Sequence, residues 1–133
     1  MAKRLTKEDI RNATGTFNPV GHIVLGFEND AVTAEAAQAL RDAGFEADDI
    51  LSYTGAEVTP RLRDMAHTAS ESAGFGYEIT LMRRYLRLSE DGCGWLIVYA
   101  PNDQKAETIT EIAKRLGVKC AVRYHRLANE DLI

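Results

Sequence analysis

Three histidines, two cysteines, one tryptophan and twenty carboxylates are the chemistry-bearing side chains of this 133-residue chain. Few of them are spaced for a reaction. Asp64, His67 and Glu71 fall at helical intervals along one face, where the carboxylates could raise the proton affinity of the imidazole or help hold a divalent ion. A single imidazole does not make a metal site, and the apolar residues of that stretch lie on the other side, so a solvated face is expected and no metal is assigned. Ser70 adds no nucleophile, because a nucleophile and its base normally come from separate elements that fix their angle. Arg83, Arg84 and Arg87 could grip a phosphate or carboxylate, yet basic residues near a helix C-terminus complement its dipole, with Glu78, Glu90 and Asp91 in reach. Gly74-Phe75-Gly76 and Gly92-Cys93-Gly94 begin like dinucleotide fingerprints, but Ile79 and Ile97 occupy the third glycine position and neither joins a strand to a helix. Both read as turns. No Gly-Lys-Ser/Thr triplet exists for a phosphate loop. Cys93 and Cys120 are too far apart for a disulfide framework or zinc ribbon. No cofactor is expected, and the question of an enzyme is left open.

The composition sets the frame for these residues. Sixteen Lys+Arg against 20 Asp+Glu leave a formal charge of -4, and 45% of residues are hydrophobic, which describes one soluble acidic domain. An acidic balance without a basic stripe weighs against nucleic acid as a partner. The longest apolar runs, such as Trp95 to Pro101, fall short of the roughly 18 residues of a membrane helix. The first twenty residues lack an apolar h-region. A cytoplasmic protein without a membrane partner is the expectation.

Residues 1–19 read as a mobile arm with little apolar face, although Thr6 followed by Asp9 resembles a cap. Residues 20–133 then form a single domain. His22 to Phe27 is a first strand, and Glu28-Asn29-Asp30 can cap a helix carrying Val32, Ala36, Ala39 and Leu40 up to Gly44. A second strand spans Ile50 to Tyr53. Thr59-Pro60 signals a helix start, with Leu62 and Met65 on its buried face, and a further helix from Tyr77 to about Ser89 carries Leu81, Met82, Tyr85 and Leu88. Trp95 to Ala100 is the most apolar strand. Asn102 or Asp103 caps a helix through Ile109, Ile112 and Ala113, and Cys120 to His125 makes a fourth strand.

The order is strand, helix, strand, two helices, strand, helix, strand. It predicts an α+β, ferredoxin-like fold with a four-stranded sheet of spatial order 4-1-3-2 and a helical insertion. In that order the start of the first strand meets the ends of the third and fourth, bringing His22, Tyr99, Arg123 and His125 together as a candidate ligand or anion site. Alternation turns His22 and Val24 to the open face of the sheet, where Trp95, Ile97, Tyr99, Arg123 and His125 can join them. That apolar face invites a cover: a second copy packing sheet to sheet, or the insertion folded across it. The favoured expectation is a small accessory or interaction protein that self-associates through Val24, Trp95, Ile97 and Tyr99. The alternative is a small-molecule or metal-binding protein using the histidine and tyrosine cluster.

Phe27-Glu28-Asn29-Asp30, Ala43-Gly44-Phe45 and Tyr53-Thr54-Gly55-Ala56-Glu57, with Tyr124-His125-Arg126-Leu127 and Glu130-Asp131-Leu132 at the close, resemble a bacterial group of general-stress or heat-induced-stress-type proteins. The resemblance runs from about His22 to Leu132. It implies a cytosolic protein with a stress association and brings no catalytic residue with it.

Overall fold

Strand β1 (His22–Phe27) is buried along its whole length, so its alternation sorts side chains between two apolar layers instead of between core and water. Ile23, Leu25 and Phe27 join one core, and Val24 joins the other. The structure, a computed structural model, describes residues 2–12, 17–71 and 76–133. Gly74-Phe75 of the expected turn lies outside them.

Helix α1 (Lys7–Asn12) precedes β1, and α2 (Asp30–Asp42) follows it. Strand β2 (Ile50–Tyr53), helix α3 (Gly55–Glu71) and helix α4 (Gly76–Glu90) come next. The chain then runs through β3 (Gly94–Tyr99), α5 (Asp103–Arg115), β4 (Cys120–Tyr124) and β5 (Asn129–Asp131). The strands form one antiparallel sheet of order β2-β3-β1-β4-β5. The architecture is α+β. The expected four strands are there in the expected neighbourhood, but the sheet has five. Asn129–Asp131 adds β5 to the edge of β4, pairing Val122 with Asp131 and Tyr124 with Asn129. A polar edge strand carries no apolar alternation, so only its pairing reveals it.

Helices α2 and α5 cover one face. Both are capped by asparagine: the Asn29 side chain accepts from the Val32 amide, and Asn102 from the Lys105 amide, each at 2.8 Å. Ala36, Leu40, Ile109 and Ile112 pack from these helices onto Ile23, Leu25, Leu96 and Val98. Helices α3 and α4 cover the other face, where Leu62, Leu81, Met82 and Tyr85 meet Val24, Trp95, Ile97 and Val122. Two stripes at helical spacing thus find the sheet face that alternation left bare.

Helix α3 begins at Gly55, four residues before the Thr59-Pro60 signal. Thr54 and Glu57 form the cap: the Thr54 amide donates to Glu57 Oε1 at 2.9 Å, and the Glu57 amide donates to Thr54 Oγ1 at 3.1 Å. At the same root the Gly55 amide donates to Asp30 Oδ1 at 3.1 Å. Thr59 Oγ1 donates to the Gly55 carbonyl at 2.7 Å and meets Ser89 Oγ, from the end of α4, at 2.7 Å. A Cβ on residue 55 would stand 2.6 Å from the Cys93 carbonyl, so this junction of strand and hairpin needs glycine.

The N-terminal segment lies over the second face. Thr6 and Asp9 cap α1 reciprocally, Arg4 pairs with Glu46 and Asp49 at 3.1 and 3.0 Å, and Lys7 Nζ donates to the Ser52 carbonyl at 2.6 Å. Ile10 is buried, and Leu5 and Phe17 pack on the same cluster. The few apolar residues of this segment are spaced to close a gap left by α3 and α4.

Candidate functional site

Backbone register brings His22 directly opposite Tyr99, with ring centroids 5.2 Å apart. His22 is buried, and both its ring nitrogens are engaged. A carbonyl can only accept, so Nδ1 carries the proton toward Val20 O at 3.1 Å, and Nε2 accepts the Leu5 amide at 3.2 Å. Burial pulls its pKa below the ordinary histidine value, against weaker opposing effects from the Val20 carbonyl and Asp49. The Tyr99 hydroxyl donates to the Ala2 carbonyl at 2.9 Å.

Arg123 and His125 do not share the Val24 and Trp95 face. The β1–β4 register sets Arg123 opposite Ile23 and Val122 opposite Val24, which turns Arg123 toward the α5 side, where it binds Asp103 at 2.9 Å. His125 lies past the end of β4, exposed, with Nε2 2.9 Å from Glu130. Tyr99, Arg123 and His125 line one notch of about 170 Å³ together with Arg126, while His22 is not in its wall. Their polar groups close on intramolecular partners instead of converging on one point.

Of the four candidate interface residues, Val24, Trp95 and Ile97 are covered and Tyr99 is half-buried. Val24, Trp95 and Ile97 are 3%, 4% and 5% exposed beneath α3 and α4. Of the two covers that the apolar face invites, the helical insertion is the one in place over Val24, Trp95 and Ile97. Asp64 and His67 lie on the exposed side of α3. Among the described residues no group of three or more His, Cys, Asp or Glu could hold a metal. Arg84 pairs with Asp131 at 3.6 Å, and Arg63 takes Glu90 at 2.9 Å. Both cysteines are buried free thiols, and burial pushes Cys120 up to about 11.

What sequence reasoning missed is a cavity of about 70 Å³ between the sheet and α3, open at its rim. Val24, Trp95 and Ile97 from the sheet, Leu62 and Met65 from α3 and Tyr85 from α4 form its apolar walls, and Ile10 and Phe17 close it from the N-terminal segment. Trp95 lies over Gly26, where an added Cβ would come within 2.8 Å of the indole, and packs edge-on to Tyr85 at 5.3 Å. Two buried polar atoms of residues that line it, Trp95 Nε1 and Tyr53 Oη, have no hydrogen-bond partner among the described residues. Tyr53 and Trp95 are direct cross-strand partners in the β2–β3 ladder, so their side chains leave the sheet on the same face from neighbouring positions. Burial holds the Tyr53 phenol above its ordinary pKa, which keeps it a neutral donor. The Lys7 ammonium sits 4.5 Å from the Tyr53 ring centroid, and Arg61 at the cavity wall donates through Nη2 to the Ile10 carbonyl at 3.3 Å.

Comparison with protein-family models, with curated proteins and with solved structures returned no match. The chemistry of the site is therefore read from its own atoms. Among the described residues no helix is long and apolar enough to cross a membrane.

Proposed function

We propose that this chain is a small-molecule-binding protein whose site is the cavity between β3 and α3. One observation carries the reading: Trp95 Nε1 and Tyr53 Oη, on residues that line one apolar cavity, are buried without partners among the described residues. Leaving a buried donor unpaired costs about 1–3 kcal/mol, and two of them on paired residues of one cavity are accounted for by a guest that accepts from both. The indole nitrogen can only donate, so the guest carries an acceptor oxygen on an apolar body. A cavity of about 70 Å³ limits that body to a short chain or a single ring, the ring needing some give at the open rim.

The rest of the functional reading sits around this site. The fold is read as ferredoxin-like, with β2-β3-β1-β4 as its sheet and α3 and α4 as an insertion that makes the pocket. A cytosolic setting and a stress association, taken from the resemblance, belong to the same proposal. Self-association would need a surface other than the face of Trp95 and Ile97. The histidine and tyrosine cluster at the sheet end is assigned to holding the N-terminal segment, which closes the cavity.

Trp95 is the only tryptophan of the chain, so its emission reports the site directly. Titration with cyclohexanone or hexanamide is expected to give a saturable change that Val58→Phe, placing a ring in the cavity, abolishes. No saturable change at about 10 mM ligand, where an affinity of about 4 kcal/mol would register, overturns the proposal.

A further inference from the structure

Resting on the binding site just described, we propose that its ligand is an anion, a small apolar monocarboxylate whose two oxygens meet the Tyr53 hydroxyl and the Trp95 indole N–H. The two donors stand on directly paired residues, matching in number the two oxygens of one carboxylate.

The charges at the rim have the sign that such a head group requires. Arg61 is the only charged residue lining the cavity among the described residues, and no Asp or Glu lines it. Lys7 lies over the Tyr53 ring, and Arg11 and Arg61 both act electrostatically on the Tyr53 hydroxyl. The one carboxylate acting on that hydroxyl, Glu57, is already bound by the Thr54 amide and hydroxyl. In a chain of net charge -4, a locally cationic rim over an apolar hollow departs from the average surface. Among the described residues the Arg61 guanidinium makes one hydrogen bond, to the Ile10 carbonyl, of the five N–H donors it carries. Its remaining donors can serve the outer edge of a carboxylate as its tail enters between Leu62, Met65 and Tyr85.

The test compares matched pairs on the intact chain: hexanoate against hexanamide and benzoate against benzamide, near neutral pH, read by Trp95 emission. The acid of each pair is expected to bind about tenfold more tightly than its amide, a ratio equivalent to about 1.4 kcal/mol. That preference should shrink with added salt. Arg61→Gln should remove most of the preference by weakening the acid of each pair far more than its amide, and because Arg61 is exposed the variant is expected to fold. Lys7→Gln, outside α3, checks the same point independently. Equal or tighter binding of the amides, or an acid preference that survives both substitutions, overturns the anionic assignment while the pocket itself stands. Silence from all four compounds removes the binding site and the assignment with it.

Discussion

Acidification should release the N-terminal segment from the sheet, because His22 can hold it only as a neutral base. Nε2 accepts the Leu5 amide at 3.2 Å and Nδ1–H donates to Val20 O at 3.1 Å. A second proton would therefore set N–H against N–H in a buried place. The groups around the ring are Tyr99, the Val20 carbonyl and Asp49, itself tied to Arg4 at 3.0 Å. Burial dominates and lowers the folded pKa, so the unfolded or detached chain takes up the proton first. Stability is whole above the ordinary value of 6.5 and falls as the pH drops toward the depressed folded value, then levels off. Within that window each pH unit removes about 1.4 kcal/mol, or about 4 °C of melting temperature for a domain of this size. Melting temperature and exchange of the Leu5 amide, followed from pH 7.5 down to about 5, are the assays. His22→Gln keeps an acceptor but does not titrate, so its curve should be flatter than the parent's. Superimposable curves would refute the argument.

Two further outcomes are expected. Gly26→Ala should destabilise the fold by about 1–3 kcal/mol in urea titrations and alter Trp95 emission, since its Cβ would stand 2.8 Å from the indole ring; unchanged stability would mean that the ring does not lie there. Cys93 and Cys120, 3% and 0% exposed, should resist iodoacetamide in the native protein and both react once it is unfolded, as counted by mass; modification of the folded chain at the unfolded rate would refute their burial.

Alternation made much of the architecture legible. Ile23, Leu25 and Phe27 against Val24, and Leu96 and Val98 against Trp95 and Ile97, divide between the two cores as their parity requires. Asn29 and Asn102 announced their helices by chemistry that acts within a few residues. Register across strands has no such local cause. His125 and Arg123 were placed with Trp95 because parity within β4 was joined to β3 by assumption, and the pairing of Arg123 with Ile23 sets it otherwise. The start of α3 was legible in Thr54 and Glu57, three residues apart, but the stronger-looking Thr59-Pro60 pair masked it. The cavity could be read only in part. The stripes of Leu62 with Met65 and of Leu81, Met82 and Tyr85 required an apolar surface to lie on, and the bare sheet face was the one available. That Ile10 and Phe17 would close the remaining gap depends on where the segment before β1 travels, and no periodicity records that path.

The hairpin of α3 and α4 is fastened in two different ways. At its root, Gly55, Thr59 and Ser89 are joined by directional polar bonds, with Asp30 reaching in from α2. Farther along, Leu62, Leu81 and Met82 rest on the sheet by apolar contact, an attraction that weakens on cooling and in mild denaturant. The two attachments therefore answer to different solvents. Cooling acts on the apolar roof more than on its polar root, so the far end of the hairpin should loosen before the root does.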